Sequence, residues 1–275
     1  MSGILYLVAT PIGNLEDITL RAIRVLREVD LIAAEDTRHS LKLLNHLEIS
    51  KPLFSYHRHN EEEKTDKLIE KLLNDENVAL ITDAGTPAIS DPGEFIVRKA
   101  IENNISVVPI PGCCALINAL ICSGFDTKEF VFYGFLPVNK KLRASKFLEL
   151  QKEKRTSILY EAPHKIITTL NDIYKNLGDV KIVLAREITK IHESFYRGHV
   201  SELIAKMDNI KGEMIILIEG NHNVETEEPK INLSIDEQYE LYKKEGLTKS
   251  EIIKKIAKNN GVKKNEIYMK FIEKE

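Results

Sequence analysis

The sequence contains no tryptophan, and its three cysteines (Cys113, Cys114 and Cys122) form no CxxC pair. All three fall in one apolar stretch. Neither a disulfide framework nor a cysteine zinc site is therefore expected, and no metal site; the pattern reads as reduced thiols of a cytoplasmic protein. No apolar run approaches the ~18 residues of a membrane span. The opening MSGILYLVATPIGN has no basic region and turns early, so a signal peptide is not expected. No GxGxxG occurs, which argues against a dinucleotide-dependent oxidoreductase. Neither sign of charge dominates: 39 basic and 42 acidic residues leave a net −3, which on its face discourages a nucleic-acid partner.

What is present is enough for sizeable cores: 275 residues, 43% hydrophobic and 29% charged. That length is long for one domain and comfortable for two. Short runs rich in β-formers recur at Gly3–Thr10, Leu31–Glu35, Leu53–Tyr56, Val78–Asp83 and Ser106–Ile110. They recur again at Phe130–Phe135, Ser157–Glu161, Lys181–Arg186, Glu193–Arg197 and Glu213–Ile218. Helical stripes separate most of them, as in Thr19–Val29 (Leu20, Ile23, Val25, Leu26, Val29) and Glu61–Leu73. Alternating strands and helices imply an α/β fold with largely parallel sheets. Ten strands suit two five-strand halves better than one open sheet. The Pro109-Ile110-Pro111-Gly112 punctuation sets the expected boundary, giving α/β domains over 1–114 and 115–220. The last two strands are expected to be antiparallel or at an edge.

The charge changes after residue 220. Asn221–Tyr242 carries a net −5 and Lys243–Glu275 a net +5, so the small total conceals a basic module. The expected division is an acidic linker over 221–235 and a basic helical module over 236–275. Thr248 with Glu251 three residues on forms a capping box. Ile252, Ile253, Ile256 and Ala257 make the apolar face, and Asn259-Asn260-Gly261 ends that helix. Three short helices at this spacing resemble a helix-turn-helix unit. Solvated lysines on a small cap are the plain alternative to nucleic-acid contact.

Several segments at strand ends can carry chemistry. ATPIGNLEDIT ends a buried strand in a Pro/Gly turn and starts a helix, where α/β folds bind ligands. DAGTPAISDPG (83–93) follows a strand directly. Its two Gly, two Pro and two Asp make a long shaped loop, anionic and thus better suited to a neutral or cationic ligand than to phosphate. PIPGCCA opens a helix of small residues. YEAPHK and REITKIHE place ionisable groups just past apolar strands.

Together with AEDTRHS and GEMIIL, these seven motifs resemble the tetrapyrrole-methylase-like family. Within it they are most similar to the group of ribosomal small-subunit RNA methyltransferases. The resemblance runs from Ile4 to about Glu219 and extends to the helical tail. One departure is Cys113-Cys114, where the group more often has Pro-Ser. The resemblance implies two α/β domains with S-adenosylmethionine in the cleft between them, 2′-O-methylation of a cytidine in 16S rRNA of the small ribosomal subunit, and a homodimer. Carried over by motif, the cofactor residues would be Pro11, Ile12, Gly13, Asp83, Gly85, Thr86, Ile89, Cys114 and Ala115 on one side. Glu161, Arg186, Glu213 and Met214 would serve on the other.

Methyl transfer to a ribose hydroxyl needs collinear oxygen, methyl and sulfur, and gains from a base or a stabiliser of the alkoxide. The expected catalytic residues are Lys190, Glu187 and Asp36. Lys190 with Arg186 would stabilise the oxyanion or position RNA, and Glu187 or Asp36 would act as base. Either carboxylate could instead orient a cation through an ion pair. Arg38, His57, Arg58, His164, Lys254, Lys255, Lys263 and Lys264 are the expected RNA contacts. Rival readings are a methylase of the same fold acting on a corrinoid precursor or, in the manner of diphthine synthase, on a protein. A non-catalytic RNA-binding protein is a rival of another class.

Overall fold

The computed structural model describes residues 2–206, 212–221, 233–244, 246–260 and 262–272. Lys211 in the turn ahead of the last strand, most of the acidic linker and Gly261 lie outside the described residues. The chain divides into one unit over Met1–Asn221 and a second over His222–Glu275.

The first unit holds two five-stranded sheets. In the first, β1 (Ile4–Val8), β2 (Leu31–Ala34), β3 (Leu53–Ser55), β4 (Val78–Ile81) and β5 (Ser106–Ile110) are all parallel, in the order β3-β2-β4-β1-β5. LIAA of β2 and VALI of β4 are buried at every position, as flanked strands covered on both faces must be. Helices supply the crossovers: α1 (Leu20–Glu28), α2 (Thr37–His46), α3 (Glu61–Leu73) and α4 (Glu94–Glu102). Leu68, Leu72, Ile96 and Ala100 of α3 and α4 pack on one face with Leu5 and Leu80. Val25, Leu26 and Leu44 of α1 and α2 pack on the other with Val8 and Ile81.

The second sheet is built from β6 (Phe130–Phe135), β7 (Thr156–Glu161), β8 (Lys181–Arg186), β9 (Ser194–His199) and β10 (Met214–Ile218), in the order β6-β7-β10-β8-β9. It corrects the expectation of largely parallel sheets: only β6 and β7 pair in parallel, and the other three ladders are antiparallel. The last two strands are antiparallel, as expected, and of the two only β9 lies at an edge. β10 is central, and its five residues are all buried. The helix α5 (Ala115–Ile121) covers one face through Leu116, Ala119 and Leu120. The opposite face is covered by α6 (Lys140–Lys152), α7 (Ile166–Leu177) and α8 (Val200–Lys206).

The second unit comprises α9 (Ile235–Lys244), α10 (Lys249–Asn259) and α11 (Lys264–Ile272). Its core is Tyr242, Ile252, Ile253, Ile256, Ala257 and Ile267. The Glu251 carboxylate accepts from the Thr248 amide at 2.9 Å, half of the capping box read from sequence. Ser234 and Glu237 cap α9 in the same way, with the Ser234 amide on the Glu237 carboxylate at 2.7 Å.

Candidate functional site

Because the first sheet is parallel, the ends of β1, β2, β3 and β4 open to one edge, and the loops that follow them meet there. The turn after β1 and the loop after β4 are stitched by a two-residue antiparallel bridge. Thr10 and Gly85 exchange amide-to-carbonyl hydrogen bonds at 2.9 and 3.0 Å. Gly85 has φ +86°, and a Cβ there would sit 3.3 Å from Ile12 Cγ2. Ala88 and Ser90 adopt positive φ (66° and 64°) without being glycine, a local strain that the surrounding loop must over-determine. Arg58 donates to the Ser90 carbonyl, and the Thr86 hydroxyl donates to the Cys113 carbonyl at 2.9 Å.

The second sheet meets this edge with one row of paired residues. Met214 of β10 stands opposite Glu161 of β7 on one side and Arg186 of β8 on the other. Between the row and the loops lies a cavity of about 390 Å³. Ile12, Gly85, Thr86, Ile89, Cys114 and Ala115 line it from the first side, with Ala84, Ser90 and Asp91. Glu161, Glu213 and Met214 line it from the second, with Phe135, Tyr160, Ala162, Pro163, Ala185, Ile188 and Ile215. Four of the expected cofactor residues, Pro11, Gly13, Asp83 and Arg186, are not in the lining. Gly13 and Arg186 act one layer back: Gly13 packs against Lys190, and the Arg186 charge acts on Glu187.

The electrostatics differ from wall to wall. Asp91 is pushed up to about 6, first by burial and then by the Glu35 charge, with Arg58 opposing and Asp83 adding. Glu35 is raised as well, by burial and then by Asp83. On the far side the Glu161 carboxylate is buried yet satisfied. It accepts from the Ala162 amide at 2.8 Å and from the Thr169 hydroxyl at 2.5 Å.

Lys190 donates to Glu187 Oε1 at 3.1 Å and to Glu213 Oε2 at 3.3 Å. Burial works against its charge, but the Glu187 hydrogen bond and the Glu213 charge outweigh burial and hold its pKa above the ordinary value. Glu187 is likewise penalised by burial, yet the Glu213 amide and Lys190 hold it below the usual carboxylate range. The turn is tight. Glu187 and Thr189 have positive φ (51° and 69°), and a Cβ on Gly13 would lie 2.5 Å from Lys190 Cγ.

Asp36 does not have a base's freedom. It caps α2 by accepting from the Arg38 amide at 2.8 Å, pairs with the Arg38 guanidinium at 3.1 Å, and these contacts lower its pKa. Its own amide donates to the Asp83 carboxylate at 3.1 Å. Arg38 and its neighbour His39 thus stand in the first turn of a helix. The sequence pattern does not announce that helix, because TRHSLKLLNH offers only a weak stripe. His57 also departs from a free RNA contact: its ring binds Asn60 Nδ2 at 3.1 Å through Nε2, and Nδ1 is buried. Arg58, His164, Lys254, Lys255, Lys263 and Lys264 are all exposed. Lys255 stacks on Tyr242 at 4.2 Å. Tyr160, Asp91 and Phe135 were not expected in the lining, although Tyr160 opens the YEAPHK motif and Asp91 lies in the loop 83–93. No group of three or more metal-ligating side chains is found among the described residues, and no helix there is long and apolar enough to cross a membrane.

The chain belongs to the tetrapyrrole (corrin/porphyrin) methylase family, whose model matches residues 4–204. Solved structures of that fold resemble it at low identity. Diphthine synthase superposes with a TM-score of 0.62 at 14% identity, covering 79% of this chain and 90% of that one. A uroporphyrin-III C-methyltransferase from Thermus thermophilus, complexed with S-adenyl homocysteine, gives 0.56 at 17% identity over 79% and 97%. Sequence relatives are far nearer and span nearly the whole length. The protein is 48% identical to ribosomal RNA small subunit methyltransferase I of Halalkalibacterium halodurans, over 97% of this chain and 93% of that protein. It is 47% identical to that of Bacillus subtilis over 97% and 93%, and 44% identical to that of Escherichia coli O157:H7 over 99% and 96%.

Proposed function

We propose that this protein methylates the 2′-hydroxyl of a cytidine in 16S rRNA of the small ribosomal subunit, with S-adenosylmethionine as donor. The observation that carries the reading is the cavity itself, in a chain whose relatives named as small-subunit rRNA methyltransferases match it nearly end to end. Its volume is within the ordinary range for a small-molecule site. Its wall combines apolar side chains suited to a base with the carboxylates Asp91, Glu161 and Glu213, suited to a sulfonium and an ammonium. When bound, the cofactor supplies an electrophilic methyl group.

In this reading Ile12, Gly85, Thr86, Ile89, Cys114 and Ala115 hold the cofactor from the first sheet, and Glu161, Glu213 and Met214 from the second. Lys190, kept charged between Glu187 and Glu213, would stabilise the alkoxide character of the ribose oxygen as the hydroxyl proton passes to solvent and the oxygen takes the methyl group, the thioether leaving neutral. Glu187, whose Oε1 is engaged by both Lys190 and the Glu213 amide, orients that lysine rather than taking the proton. Asp36 holds α2 and the Asp83 loop. The exposed Arg58, His164 and tail lysines contact RNA phosphates, and the protein works in the cytoplasm as a homodimer.

The test is methyl transfer from labelled S-adenosylmethionine to small subunits lacking the modification, followed by alkaline hydrolysis. A 2′-O-methyl group blocks cleavage at its own linkage, so one alkali-resistant step 3′ to a cytidine is expected. Label on a base, on protein or on a corrinoid alone overturns the proposal.

A further inference from the structure

The segment that follows β6, together with α6 and α7, encloses a second hollow of about 620 Å³. It begins where the first ends. Phe135 and Pro163 line the cavity, while their neighbours Leu136, Pro137 and Lys165 line the groove, and exposed His164 stands between the two. Its ionisable lining is lopsided: Lys140, Arg143, Lys165 and Lys175 against a single acid, Asp172. Arg143 neutralises that acid at 2.8 Å. The three lysines are exposed and, among the described residues, enter no ion pair. A charge of this sign left uncompensated in a concave surface is unfavourable for the free protein and favourable for a polyanion.

The groove is also wired to the cavity. Arg143 Nη2 donates to the Thr169 hydroxyl at 2.8 Å, and that hydroxyl donates to the Glu161 carboxylate at 2.5 Å. Glu161 belongs to the cavity wall. The floor of the groove therefore orients a carboxylate of the cofactor pocket.

We infer that the α6–α7 groove is the seat of the substrate RNA backbone next to the target nucleotide, with Lys140, Lys165 and Lys175 as phosphate contacts. The inference rests on RNA being the substrate and adds where the strand runs. Lysines suit such a groove because flexible point charges grip phosphates of any sequence, while the nucleotide to be modified is selected at the cavity. An adjoining groove also keeps the strand's path continuous into the site, since cavity and groove share the segments 135–138 and 161–165.

The experiment uses the full chain with Lys140→Gln, Lys165→Gln and Lys175→Gln combined. All three side chains are exposed, so folding is not at stake. Binding of a fluorescent fragment of small-subunit rRNA is measured from 50 to 300 mM KCl, and cofactor binding is measured by calorimetry. About tenfold or weaker RNA binding at low salt is expected. The slope of log affinity against log salt should flatten by roughly 2, from about 0.7 per phosphate contact on a single strand. Cofactor affinity should stay at the wild-type value. An unchanged salt slope overturns the inference, as does an equal loss of cofactor affinity, which would make the lysines structural. Displacement of the fragment by inorganic phosphate at low millimolar concentration overturns it too, in favour of a free-anion site. If wild type methylates small subunits and the triple variant matches it in RNA binding and methylation, the groove alone is refuted; if wild type methylates no small subunits, the function itself falls with it.

Discussion

The two walls of the cavity are made by different means. The first-sheet wall is mostly backbone: a Thr10–Gly85 bridge, a strained loop with Ala88 and Ser90 at positive φ, and carbonyls fixed by Arg58 and Thr86. The second-sheet wall is side chain: Glu161 clamped by Thr169, and Glu213, which accepts from Lys190 behind the lining, where Glu187 holds the lysine from its other side. A parallel sheet ends all its strands at one edge, so loops gather there and shape can be made from main chain. A mixed sheet brings the start of β10 beside the ends of β7 and β8, so the ionisable Glu161 and Arg186 flank Met214 in one row. Under the proposed function this difference becomes a division of labour, with backbone shape serving cofactor recognition on one side and the charges around Lys190 serving the chemistry on the other.

That division is broken most directly at Lys190. Lys190→Ala should lower kcat by about 10²–10³-fold, the usual scale for removing one stabiliser of a developing oxyanion, with cofactor affinity within a few fold of wild type. Single-turnover methylation beside calorimetry reads both, and a loss confined to cofactor affinity would move Lys190 to the recognition side. Gly85→Val should do the reverse. A branched side chain at φ +86°, pressed on Ile12, distorts the bridge, so cofactor affinity should fall by about tenfold or more with kcat at saturation much less affected. Proportional loss of both would erase the contrast between the walls.

The smallest effect concerns charge on the backbone-built wall. Asp91 has a folded pKa of about 6 against 3.8 unfolded. Between those values the folded state holds more protons, so the stability contribution is fully present below about pH 4 and is lost as pH rises through 6. Asp91→Asn removes that loss. Its melting temperature relative to wild type should rise by a few degrees from pH 4.5 to pH 7.5, followed by scanning calorimetry. Parallel curves would mean that Asp91 carries no such cost.

The ten strands and the main crossover helices were legible because short buried runs and helical stripes announce themselves locally. Two helices were not: α2, whose polar residues blur its stripe, and α8, only seven residues long. The antiparallel pairing of β10 was half legible, because a run such as MIILI states burial, not direction or neighbours. The loop 83–93 stands out by its Gly, Pro and Asp content. That Asp83 turns to the Asp36 amide while Asp91 faces the cavity is a matter of loop path.

The amino-acid sequence alone determined the alternation of strands and helices, the motifs at strand ends and the basic tail hidden in a net charge of −3. These are local properties, set by side-chain period, turn residues and composition. Tertiary structure alone decided which charges meet. Glu187, Lys190 and Glu213 are joined only because β8 and β10 are neighbours, and Asp36 is occupied only because it starts a helix beside Asp83. Pairing of distant charges depends on chain path and burial, which no local pattern encodes.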